Sequence, residues 1–187
     1  TDTKDKERVF KKRQICYASH VDGYIYSYYA SQLSKLYEKK LIELSISESV
    51  LAFRKIDGKS NIHFAKQAFD DISNKGNCTV IALDFTKFFD NLEHDILKKE
   101  WCKLLGVDAL PKEHFNIYKS LTKYSTVNKD KVYKLFNISK NNPKNRPLKI
   151  CSIKEFREKV RKENDLIQPN PTIKDNKGIP QGSSLSA

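Results

Sequence analysis

Asp84 is the residue best placed to do chemistry. It closes CTVIALD, residues 78–84, an apolar run of strand length that predicts a strand buried on both faces. A carboxylate at the end of such a strand is rigidly held and can reach a metal ion. Taken alone, an Asp in that place more often just caps the next turn. Its neighbours are Phe85, Phe88-Phe89, Asp90 and His94, and far downstream stands GIPQG, residues 178–182. His63 and His94 have no second ligand at metal spacing and read as structural; His94 suits the first turn of a helix. Cys16, Cys78, Cys102 and Cys151 are equally scattered, and the apolar surroundings of Cys78 and Cys102 suggest core thiols.

The elements that must position these residues follow from periodicity and punctuation. Residues 7–17 read as two short strands around a basic turn. A helix is expected from Tyr24, with Ile25, Tyr29, Leu33, Leu36, Leu41 and Leu44 recurring at helical steps. VLAFRKI reads as a short strand and DGKSN as a turn. Ile62, Ala65, Ala68, Phe69 and Ile72 mark one face of a helix ending near Gly76. Residues 90–93 have capping-box spacing before a helix that Gly106 stops. Pro111 suits the first turn of the next helix, and residues 152–155 form a second capping box ahead of Phe156 and Val160. The loop at 140–147 is rich in Lys, Asn and Pro, and no internal repeat is present. Strands and helices in this order predict an α+β fold.

VIALDFTKFFDNLEHDIL resembles the first catalytic motif of reverse transcriptases, above all the bacterial ones: apolar strand, Asp84, the aromatic pair Phe88-Phe89, Asp90 and His94. Three further segments match in the family's order. KKRQICYASHVDGYIYSYYA resembles the fingers segment whose arginine, here Arg13, grips the incoming triphosphate. LAFRKIDGKSNIHFAKQAF resembles the element before the catalytic strand in group II intron and retron enzymes. KGIPQGSSLSA resembles the Pro-Gln-Gly motif beneath nucleotide and template. The resemblance spans the chain apart from a basic insert at about 126–176. It implies a right-hand polymerase, with fingers over 1–77 (including part of the palm helices) and the first half of the palm over 78–187.

The resemblance also implies roles. Asp84, with the Phe85 carbonyl beside it, would ligate two Mg²⁺ ions for transfer of a nucleotide to a primer hydroxyl. Phe89 falls at the steric gate that excludes a ribose 2′-hydroxyl, and Phe88 is expected in the core. Arg13 offers a fork of donors to phosphate, with Lys11 and Lys12 adding charge or merely forming a solvated turn. Pro180 and Gly182 would shape a turn from which Gln181 hydrogen-bonds nucleotide or template. Arg54 and Ser60 would touch template backbone, although an Arg in such a place often pairs with an acid instead.

The sequence stops at Ala187, ahead of the family motif that carries the remaining catalytic aspartates and ahead of the thumb. The expectation is a fragment that cannot polymerise alone. The long insert and the GIPQGSS wording sit nearest the defence-associated, abortive-infection type, before retron and intron enzymes. The family implies an RNA template, a DNA product, deoxynucleoside triphosphates, in some members a non-coding RNA, antiphage defence and a cytoplasmic location.

Composition points the same way. Lys and Arg number 35 against 23 Asp and Glu, a formal charge of +12, which favours a polyanionic partner. No long apolar run or signal peptide supports a membrane partner. A rival reading is an inactive polymerase-like module that only binds nucleic acid, with Tyr24, Tyr26, Tyr28 and Tyr29 as stacking platforms. Tyrosines at those spacings are equally expected on a helix packed against a sheet. Template, primer and oligomeric state stay open. The charge makes one measurable demand: nucleic-acid affinity should fall steeply with salt, because each neutralised phosphate releases counterions. Titrations with one oligonucleotide at 50 and 200 mM salt check this, and an unchanged binding constant contradicts an extended basic groove.

Overall fold

The computed structural model describes residues 14–54, 58–141 and 147–186. The fold is α+β, with helices predominating and one two-stranded sheet among the described residues. Helix α1 spans His20–Glu43, earlier than the expected start at Tyr24, because the Ser19 hydroxyl accepts from Asp22 N–H and caps it. α2 covers Asn61–Lys75 and ends at Gly76. A single turn, α3, covers Phe88–Asn91. α4 runs His94–Leu105 and α5 Lys112–Thr122. Gly106, at φ 68°, ends α4 as expected; Pro111 stands immediately before α5. The box at 90–93 does not form, since Asp90 and Asn91 belong to α3 and Glu93 bridges to Lys177, preceding α4 without capping it.

The packing centre joins α1, α4 and α5. Trp101 and Tyr118 are buried, and the rings of Tyr29, His114, Trp101 and Tyr118 meet edge to face at 5.0 to 6.4 Å. Trp101 Nε1–H donates to His114 Nδ1 at 3.3 Å, which places the ring's proton on Nε2. Leu121 and Thr122 extend the buried layer along α5.

The expected insert has its own small core. Strands β1 (Ser125–Val127) and β2 (Ile167–Pro169) pair antiparallel, with Thr126 opposite Gln168, and tie its two ends together. Between them lie α6 (Lys129–Leu135), capped by Asn128, and α7 (Ile153–Glu155), which runs on as a π turn over Phe156–Val160. Ser152 and Glu155 form the expected capping box. Val132, Val160 and Leu166 are its buried centre.

Among the described residues, the strands expected from sequence are absent. Residues 78–84 form no regular element and pair as a strand with no other described residue. Ile81 and Leu83 are 77 % and 91 % exposed, Cys78 is exposed too, and Cys102 is half-buried. An apolar run can hold a strand only where a neighbour supplies the ladder, and none of the described residues does. Residues 50–54 form turns rather than a strand, and 14–17 are irregular; 1–13 and 55–57 lie outside the described residues. On α2 the helix is present but its expected core face is open: Ile62 is 80 % exposed, and Phe64 is the buried residue. Tyr26 and Tyr29 pack against α5, whereas Tyr24 and Tyr28 face solvent.

This arrangement separates two leucines. Leu121→Ala should cost about 2–5 kcal/mol, the usual range for a buried leucine. In the same 187-residue chain, Leu83→Ala should change stability by less than about 0.5 kcal/mol. Denaturant titration of both variants checks this, and a large loss from Leu83→Ala would restore the buried strand.

Candidate functional site

Three stretches far apart in sequence meet at one place: 15–16, 88–94 and 170–182. The central joint is His94, 6 % exposed at the start of α4. Its Nε2 lies 2.8 Å from the Gly178 carbonyl, so Nε2 carries the proton and donates. Its backbone N–H donates to Asn176 O at 2.8 Å, and its carbonyl accepts from Tyr118 O–H at 3.0 Å. In return Gly178 N–H donates to Leu92 O and Ile179 N–H to Phe89 O, both at 2.9 Å. A bridge between Glu93 and Lys177, with an ion pair at 3.6 Å, closes the outer edge.

A second layer holds the 176–178 backbone from behind. Asn170, 2 % exposed, donates through Nδ2 to Lys177 O and Gly178 O, while its Oδ1 accepts from the N–H and hydroxyl of Thr172. Bonding to the N–H two residues on is an Asx turn. Gly178, at φ 89°, sits so close to the Thr172 hydroxyl and Asn170 that no side chain fits there. Asn170 and Thr172 escaped the sequence reading, although Asn-Pro-Thr is a turn signal that could have disclosed them.

The Pro-Gln-Gly turn follows. Cys16 N–H donates to Gln181 O at 2.8 Å, and a Cβ on Gly182 (φ 108°) would lie 2.6 Å from Ile15 Cγ2 and 2.9 Å from Cys16 O. The Gln181 side chain makes no hydrogen bond among the described residues. Burial raises the Cys16 thiol above its ordinary pKa. Burial likewise raises the Tyr124 phenol, with the neighbouring Cys16 and Asp90 raising it further. Both groups are therefore neutral at pH 7.

The aromatic turn leads into the same place. Lys87 adopts a left-handed conformation (φ 50°), and its carbonyl accepts from the N–H groups of Asp90 and Asn91. Phe89 is half-buried against the joint, while Phe88 is 49 % exposed and touches the rings of Phe85 and Phe89. Phe88, directly after the left-handed Lys87, is thus no core residue. Asp84 and Phe85 lie upstream, outside any regular element and both exposed, and Asp84 has no hydrogen bond or ion pair among the described residues.

The remaining expected residues are not gathered here. Arg54 is largely buried, and five N–H bonds to Glu38, Ser47 and Val50 occupy its five donors, leaving none for phosphate. The Arg54 hydrogen bond lowers the Glu38 carboxyl below its ordinary value. Any stability this shift contributes is present above the ordinary Glu range and is lost as pH falls through the lowered pKa. Ser60 precedes α2, and its hydroxyl lies 2.9 Å from His63 Nδ1, with the ring also accepting from Ser60 N–H. Lys11, Lys12 and Arg13 lie outside the described residues. Among the described residues, no three His, Cys, Asp or Glu side chains cluster as a metal site. Likewise no described helix is long and apolar enough to cross a membrane.

The turn's geometry divides two neighbours. Gly182→Ala should destabilise the chain by about 1–3 kcal/mol, through left-handed strain and overlap with Cys16. Gln181→Ala should stay within about 0.5 kcal/mol, because it is the backbone oxygen that is engaged. Thermal or denaturant unfolding compares them, and equal stabilities would contradict the close approach. Scanned against known family models the chain matches none, and no curated protein matches it.

Proposed function

We propose that this chain is the fingers and first half of the palm of a bacterial RNA-directed DNA polymerase of the defence-associated type. One observation carries the reading. The turn bearing Phe89 and the turn bearing Gln181, about ninety residues apart in sequence, are hydrogen-bonded to each other through Ile179 and Phe89 and locked by His94. A polymerase needs its sugar-sensing ring and its nucleotide-supporting turn adjacent, and a generic basic scaffold has no such need.

In this reading the Asp84 carboxylate and the Phe85 carbonyl are oxygen donors for Mg²⁺. The donor chemistry fits, because Mg²⁺ is commonly held by one or two carboxylates together with substrate phosphates and water. Two bound ions would activate the primer hydroxyl and stabilise the leaving pyrophosphate. This chain's own part is to hold Asp84 free of competing partners, to set Phe89 against the sugar and to offer the Gln181 amide to nucleotide or template. Arg13, Lys11 and Lys12 would meet the triphosphate. The partners are an RNA template, a DNA product, deoxynucleotides and in some members a non-coding RNA. Four free thiols suit a cytoplasmic setting. The exposed Tyr24 and Tyr28 favour a second reading, a polymerase-like module that binds nucleic acid without catalysis.

Single-nucleotide extension by the full-length protein separates the two. Asp84→Asn should abolish incorporation while folding and nucleic-acid binding persist. Phe89→Ala should raise ribonucleotide relative to deoxynucleotide incorporation, and the exposed Phe88→Ala should not. Activity retained in Asp84→Asn removes Asp84 from the mechanism; a wild type that binds but never extends supports the binding module.

A further inference from the structure

The aromatic half of α1 is uncovered. Tyr24 is 78 % and Tyr28 60 % exposed, and Val21, one turn earlier, is open as well. Positions 21, 24, 28, 32, 35 and 39 follow at steps of three and four, so they share one helix face. Tyr28, Gln32, Lys35 and Lys39 line one cleft of about 480 Å³, closed opposite by Leu105, Glu113 and His114. The two rings stand about 6 Å apart along the axis, and the lysines lie about 10 and 16 Å beyond Tyr28.

The surroundings indicate what this face suits. Tyr26 and Tyr29, on the same helix, are engaged with α5, so the outward pair is not a general property of its tyrosines. Lys35 and Lys39 have no ion-pair partner among the described residues, whereas Lys40 pairs with Glu43, and Glu38 is taken by Arg54. Glu113 is the acid in the cleft lining. Flat rings followed by two cations without an ion-pair partner among the described residues match a polymer with stackable bases and a phosphate backbone. A second copy laid parallel on this face would bring its own Lys35 and Lys39 against the first pair.

We propose that this face of α1 is a track for single-stranded nucleic acid, with bases stacked on Tyr24 and Tyr28 and phosphates running to Lys35 and Lys39. The inference rests on the nucleic-acid reading above but not on Asp84 or on catalysis.

Fluorescence anisotropy with a labelled oligo-dT and a labelled oligo-U tests it on the full chain. Tyr24→Leu and Tyr28→Leu, which keep apolar bulk but lose the ring, should each weaken binding about tenfold. Tyr24→Phe and Tyr28→Phe should bind like wild type. Lys35→Gln and Lys39→Gln should each lower the slope of log affinity against log salt by about 0.7. Wild-type affinity in the leucine variants, with wild type itself binding, overturns the track and leaves the nucleic-acid reading intact. Failure of the wild-type chain to bind either oligomer overturns both. A wild-type dimer that the leucine variants dissociate, with oligonucleotide affinity unchanged, assigns the face to self-association and overturns the track.

Discussion

The bond between the His94 ring and the Gly178 carbonyl is the constraint on which the candidate site depends. It is buried, and an unmade buried hydrogen bond costs about 1–3 kcal/mol, so neither partner is easily released. Around it the backbone makes three further bonds and the Tyr118 hydroxyl a fourth, and Asn170 fixes the far side of the same peptides. Polar groups buried and fully satisfied in this way specify one arrangement more sharply than apolar packing does. The arrangement sets the Phe89 turn beside the Pro-Gln-Gly turn, and Gly182 then lets residues 15–16 close over it.

The same constraint organises the fold around the site. β1 and β2 bring the chain back at Asn170, whose N–H donates to Tyr124 O, so the basic excursion begins and ends beside the joint. Its core of Val132, Val160 and Leu166 is its own, which lets a long segment sit between two turns that must touch. Tyr118 links the joint to the aromatic centre of α1, α4 and α5 through its hydroxyl on His94 O.

Local signals were legible in the sequence, and partner-dependent ones were not. Gly106, Pro111 and the Ser152–Glu155 box act within a few residues, and they delimit helices as read. The run at 78–84 has a strand's composition, but a strand is defined by its neighbours, and none among the described residues pairs with it. Phe88, expected in the core, is exposed beside the left-handed Lys87, a conformation no residue type announced. Arg54 shows the same limit: its charge suggested phosphate, while its five bonds to nearby groups depend on how residues 47–54 fold back on α1. Of the candidate site, the two turns were legible, but the Asn170 brace emerged only from packing, as did which two of the four α1 tyrosines face outward.

Amide hydrogen exchange at Gly178 and Ile179 tests the joint most directly. Their N–H groups donate to Leu92 and Phe89, so the account predicts protection comparable to that of the α4 amides around Trp101. Exchange of both amides at open-loop rates, while α4 stays protected, would show that the two turns are not held together and would contradict the site.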